Sequence, residues 1–86
     1  IKQMVKIKLY GRAKELVGKE ELNLKIEGQI TLEELTKRIA KDWGKISSRE
    51  AQTILINGRN CIFMEGLQTQ IKDSDLVEIL PIISGG

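Results

Sequence analysis

The sequence predicts an α+β fold in two layers, one main helix laid across one face of a mixed sheet of four to five strands. Three observations carry that prediction. Apolar and polar residues alternate strictly from Val5 to Tyr10 and again from Glu21 to Glu27, the period-two signature of half-buried strands. Between Thr31 and Gly44 the apolar residues recur at helical spacing instead. Asn57-Gly58, standing between two apolar runs, is the strongest short signal for a hairpin.

In chain order, the first strand places Val5, Ile7 and Leu9 on the core side and Lys6, Lys8 and Tyr10 on the other. Ile1-Lys2-Gln3 precede Met4; either these three are vector-derived and Met4 is the native start, or the start lies upstream. Gly11 to Gly18 interrupts the alternation with room for a turn of helix and no more. Glu21 to Glu27 forms the second strand, ended by Gly28.

Thr31 is a helix N-cap, with Glu33 and Glu34 in the first turn where carboxylates oppose the helix dipole. Leu32, Leu35, Ile39, Ala40 and Trp43 make the stripe that packs on the sheet, and Gly44 closes the helix. Ile46 to Glu50 is polar connection. Thr53-Ile54-Leu55-Ile56 reads as a strand buried on both faces. Cys61-Ile62-Phe63-Met64 returns from the Asn57-Gly58 turn as a short strand, and Glu65 to Lys72 is irregular. Asp73-Ser74-Asp75 is a turn whose side chains satisfy nearby backbone groups. The last strand, Leu76 to Leu80, turns Val77 and Ile79 to the core and leaves Leu80 with Glu78 on the far face.

Composition narrows the function classes. Eighty-six residues suit a single domain, residues 1–86, with one modest core. Hydrophobic residues at 41% and charged residues at 30% are those of an ordinary globular chain, not a disordered one. With a net charge of +2, interleaved signs and few aromatics, nucleic acid is not an expected partner. No apolar stretch is long enough to span a membrane, so a cytoplasmic location is expected. Cys61 is the one cysteine and histidine is absent, which removes disulfide, metal and Cys-His chemistry. The chain is not expected to be catalytic alone, and Cys61 reads as a small buried hydrophobe.

The chemistry is expected in the tail, Pro81-Ile82-Ile83-Ser84-Gly85-Gly86. Glycine lacks Cβ, so Gly85 and Gly86 can enter a slot closed to side chains. Five residues beyond Pro81 reach roughly 17 Å when extended, enough to thread into another protein's active site. Such a tail suits a terminal carboxylate that is itself the substrate; the plainer reading is a frayed terminus. Beside it, Tyr10, Leu80 and Ile82 could form an apolar docking patch.

Val5-Lys6-Ile7-Lys8-Leu9-Tyr10-Gly11-Arg12-Ala13-Lys14-Glu15-Leu16-Val17-Gly18, then Ile56-Asn57-Gly58-Arg59, Asp73-Ser74-Asp75-Leu76-Val77 and Leu80-Pro81-Ile82-Ile83-Ser84-Gly85-Gly86 stand in the chain in that order. Together these blocks resemble the small subunit of molybdopterin synthase and the ubiquitin-like sulfur carriers. The resemblance implies a ubiquitin-like β-grasp fold with residues 81–86 as a flexible functional tail. It implies no bound cofactor, but a 1-thioglycine at Gly86: an ATP-using adenylyltransferase of the ubiquitin-activating type would adenylate the carboxylate, and sulfur would replace oxygen. The thiocarboxylate would then donate sulfur to a pterin precursor within the large synthase subunit, in molybdenum or tungsten cofactor biosynthesis. Gly86 would carry the reactive group, Gly85 would give access, and Tyr10, Lys14, Leu80, Pro81, Ile82, Ile83 and Ser84 would meet partners. The chain departs from the family at Lys14, often Arg, at Leu80, often aromatic, and at Ser74, often Gly. Lys14 keeps the charge but loses bidentate hydrogen bonding. Two other readings stay open: a protein modifier joined to lysines through Gly86, and a binding module whose tail is inert.

Overall fold

The computed structural model describes residues 4–40 and 52–81. Among them, a five-stranded sheet has the spatial order β2-β1-β7-β4-β5. Its members are β1 (Met4–Leu9), β2 (Glu21–Lys25), β4 (Gln52–Ile56), β5 (Arg59–Asn60) and β7 (Leu76–Pro81). The sheet is mixed, because β1 and β7 run parallel while every other pairing in it is antiparallel. Helix α2 (Leu32–Ile39) supplies the second layer, and α1 (Gly11–Val17) packs against β7. This is the α+β, ubiquitin-like β-grasp architecture expected from the sequence.

Register explains the core. Ile7 sits opposite both Leu22 and Val77, and Ile54 opposite Ile79, so the same parity faces inward across neighbouring strands. Val5, Ile7, Leu9, Val77 and Ile79 are essentially inaccessible and share one cluster with Leu32 and Leu35 of α2. Thr31 caps α2 as expected, its hydroxyl accepting from the Glu34 N–H at 3.2 Å. The Thr36 hydroxyl is also buried in the stripe and donates to the Glu33 carbonyl at 2.7 Å, so its polar atom is satisfied within the helix.

Several expectations need correction. The segment read as at most one helical turn is α1, a helix of seven residues. Gly18 adopts φ +83° as its C-cap, and Ala13 is fully buried; tertiary burial stabilises a helix too short to persist alone. Strand β2 stops at Lys25, and Ile26 enters the core from outside it. Helix α2 is closed not by Gly44 but by Ala40, whose φ of −153° is extended. Trp43, Gly44 and the connection 46–50 lie outside the described residues. On β4, Ile54 and Ile56 are buried while Thr53 and Leu55 are only half-buried, so one face is core and not both.

Past the turn, the second strand of the hairpin is only Arg59–Asn60, and Cys61–Phe63 is a 3₁₀ turn instead of a strand. The Asn60 side chain accepts from the Ile62 N–H at 3.1 Å, a local bond that competes with the sheet ladder. The stretch read as irregular holds a second 3₁₀ turn, Gly66–Gln68, and β6 (Gln70–Lys72). Strand β6 pairs antiparallel with β3 (Gln29–Thr31) in a separate two-stranded sheet, with Ile30 opposite Ile71 and both buried.

The hairpin turn itself is as expected: Asn57 (φ 52°) and Gly58 (φ 84°) give the two positive dihedrals of a type I′ turn. Asn57 also ties the hairpin to β7. Its amide donates to Asp75 Oδ1 at 3.0 Å, and its Oδ1 accepts from the Leu76 N–H at 2.9 Å. Asp75 Oδ2 in turn accepts from the Lys72 N–H at 2.9 Å, which closes the turn before β7.

Candidate functional site

The last described residue, Pro81, ends β7, and β7 is hydrogen-bonded on both sides, to β1 and to β4. Whatever follows Pro81 is therefore rooted in the middle of the sheet. Alternation puts Leu76, Glu78 and Leu80 on the outer face, away from α2, where Leu80 is half-buried beside Thr53 of β4. Lys8 stands opposite Glu78 on the same face.

Tyr10 follows β1 and is held to β7 twice. Its N–H donates to the Ile79 carbonyl at 3.0 Å, and its hydroxyl donates to Glu78 Oε2 at 3.2 Å. Tyr10 as a residue is 39% exposed. Partial desolvation, then the Glu78 carboxylate, pushes the phenol above its ordinary pKa near 10. Lys14, on α1, pairs with Glu20 at 3.2 Å, both side chains more than half exposed. Tyr10, Gly11 and Lys14 line an open groove of about 470 Å³ whose other wall includes Lys8, Glu20 and Glu21. The groove presents both signs of charge beside an aromatic ring and has no enclosed chamber for a small substrate.

Of the residues expected to meet partners, Tyr10 and Lys14 share this groove, and Pro81 touches its margin at Gly11. Leu80 shares the outer face with Glu78, the hydrogen-bond partner of Tyr10. Ile82, Ile83, Ser84, Gly85 and Gly86 lie outside the described residues. Gly11 and Glu78 were not singled out from the sequence. Gly11 read as the start of the segment that interrupts the alternation, and Glu78 as the neighbour of Leu80 on the face away from the core. Cys61 is buried, 7% exposed, and burial raises its thiol pKa, in keeping with a core role. Among the described residues the most exposed apolar side chains, Ile62 and Phe63, lie beyond the edge strand β5 and away from this groove.

Residues 7–86 match the ThiS family. The chain belongs to that family. A protein of Archaeoglobus fulgidus described as a sulfur carrier is 37% identical over 57 residues, a match that spans 60% of the present chain and 65% of that relative's length. Among solved structures, the small archaeal modifier protein 1 of Methanosarcina acetivorans superposes with a TM-score of 0.74 at 30% identity, covering 98% of this chain and 97% of that one. A Pyrococcus furiosus protein described as molybdopterin converting factor, subunit 1, gives a TM-score of 0.73 over 94% and 99% of the two chains; at 23% identity it bears on the fold alone. In this ThiS-family chain, the groove beside Tyr10 and the root of the tail at Pro81 are thus features of a ubiquitin-like scaffold. No helix among the described residues is long and apolar enough to cross a membrane.

Proposed function

We propose that this chain is a sulfur carrier whose terminal Gly86 carboxylate is converted to a thiocarboxylate and serves as the sulfur-donating small subunit of a molybdopterin synthase. The observation that carries the reading is that the family match runs through Gly86, so it includes the Gly85-Gly86 pair, while the fold roots that segment at Pro81 on the central strand. A carboxylate resists nucleophilic attack until it has a good leaving group. In the first step a Gly86 carboxylate oxygen attacks the α-phosphorus of ATP and pyrophosphate leaves, giving an acyl-adenylate. In the second a sulfur nucleophile at the sulfide oxidation level attacks the carbonyl carbon, and AMP leaves with the electron pair of the broken C–O bond. No electrons are gained or lost overall.

The partners would be an adenylyltransferase of the ubiquitin-activating type and a large synthase subunit. Tyr10, Lys14 and Leu80 would form the docking face, and Pro81, Ile82, Ile83 and Ser84 would lead Gly85 and Gly86 into the partner's site. The test is the intact mass of the chain, tagged at its N-terminus and recovered from its own host. A fraction heavier by the exchange of one oxygen for sulfur at Gly86, lost when Gly85 and Gly86 are deleted, is expected. Finding only the free acid, even with the activating enzyme and ATP supplied, would overturn it.

The 30% identity to a small archaeal modifier protein favours a second reading, in which Gly86 is joined to lysines of other proteins. The same adenylate would then be attacked by a lysine amine, with AMP leaving and an isopeptide bond forming. Branched peptides carrying Gly86 on foreign lysines would select it.

A further inference from the structure

Pro81 is the last residue of β7, and the two neighbours of that residue hold it by different means. On one side it pairs with Gln52 of β4. On the other, the Tyr10 N–H donates to the Ile79 carbonyl; in a parallel ladder the Tyr10 carbonyl would next accept from residue 81. Proline has no N–H, so the hydrogen bonding of β1 to β7 stops there.

Packing takes over at that point. Gly11 stands at φ +59°, and a Cβ on it would lie 3.0 Å from Pro81 Cγ and 3.2 Å from Cδ. That is tighter than nine in ten real Cβ contacts, so the ring would have to give by a few tenths of an ångström. The other glycines of positive φ among the described residues, Gly18, Gly28, Gly58 and Gly66, have nothing within 4 Å of such a Cβ. They need only the dihedral. Gly11 needs the dihedral and the empty space together.

We infer that Gly11 is a positioning residue for the terminal carboxylate: its bare backbone seats the Pro81 ring and so sets the line on which the chain leaves β7. The inference rests on the sulfur-carrier reading. With the body held on a partner through Tyr10, Lys14 and Leu80, the seat of Pro81 fixes where the thread toward the reacting atoms begins. Misplacing a reacting group by about 1 Å can cost on the order of a hundredfold in rate. Gly11 lies at the margin of the docking groove where it meets Pro81, so the loss belongs more in kcat than in KM.

ATP–pyrophosphate exchange with the host's adenylyltransferase, at varied concentrations of the full chain, reads both constants. Gly11→Ala is expected to lower kcat by roughly tenfold, a larger factor than its effect on KM. Gly18→Ala has the same kind of dihedral strain but no neighbour to meet, and it should retain the wild-type kcat. Gly11→Asn, which tolerates positive φ better and still carries a Cβ, should behave as Gly11→Ala and covers the case in which the alanine variant does not fold. In a Pro81→Ala background, Gly11→Ala should have little further effect, because the ring it displaces is gone. Equal kcat for the Gly11 and Gly18 variants, a loss confined to KM, or an undiminished Gly11→Ala effect beside Ala at 81 would each overturn the inference. Absence of exchange with the wild-type chain would overturn the carrier reading itself and this role with it.

Discussion

Tyr10 is the one tyrosine of the chain, so its titration can be followed without assignment. Its pKa is raised in the fold by partial desolvation and then by the hydrogen bond to Glu78. A group whose folded pKa lies above its unfolded one contributes stability that is whole below the unfolded value and lost as pH rises through the folded value. Phenolate absorbance is therefore expected to appear at higher pH in the native protein than in denaturant. Glu78→Gln should bring the native midpoint down, and an unmoved midpoint would show that the carboxylate does not hold the hydroxyl in solution. Cys61 makes a complementary test. A buried thiol of raised pKa should react slowly with a disulfide reagent in the native state and rapidly after unfolding, and Cys61→Ala should leave sulfur loading at Gly86 unchanged. Loss of loading in that variant would give the thiol a part in the chemistry. Its burial was expected from a strand setting, and it holds although Cys61 opens a 3₁₀ turn whose apolar neighbours Ile62 and Phe63 are exposed. The role of Gly11 was not legible in the sequence, because the steric demand on it comes from Pro81, some seventy positions away and visible only once β1 and β7 are paired.

At the scale of elements, local signals and long-range ones fared differently. Strands β1 and β7, the Thr31 cap and the Asn57-Gly58 turn each rest on residues adjacent in sequence, and each was readable. Strands β3 and β6 have three residues apiece, too few to show alternation, and exist because Ile30 meets Ile71 across the chain. The Cys61–Phe63 turn looked like a strand because its residues have strand propensity; the Asn60 side chain and the exposure of Ile62 and Phe63 show local bonding overriding that preference. Of the candidate site, Tyr10 and Lys14, which the family resemblance put at a partner face, share a groove, but the bond from Tyr10 to Glu78 joins residues no short-range pattern links. The cap gives the cleanest measurement at this scale. Thr31→Ala should lower stability by about 1 kcal/mol in a denaturant melt with unchanged slope, since one helix-end N–H loses its acceptor. Thr31→Ser should recover most of that loss.

At the scale of the whole molecule, the buried apolar residues among those described form one cluster shared by both sheets and α2. Ile71 lies at the seam, on the two-stranded sheet yet fully buried in the common core. Ile71→Ala is expected to cost about 2–5 kcal/mol by calorimetry or denaturant titration, with the whole fold lost in one transition. A separate early transition for the β3–β6 pair would show that the small sheet is an independent unit. The position of β7 has a mechanical consequence as well. A partner that draws on residues beyond Pro81 pulls along a strand hydrogen-bonded at both edges, to β1 in parallel and to β4 antiparallel. Tension along the strand axis loads those bonds in shear, so that they must fail together and not peel apart in turn. The tail is thus anchored like a rope spliced into the middle of a mat, and an enzyme can tug on its end without unravelling the weave.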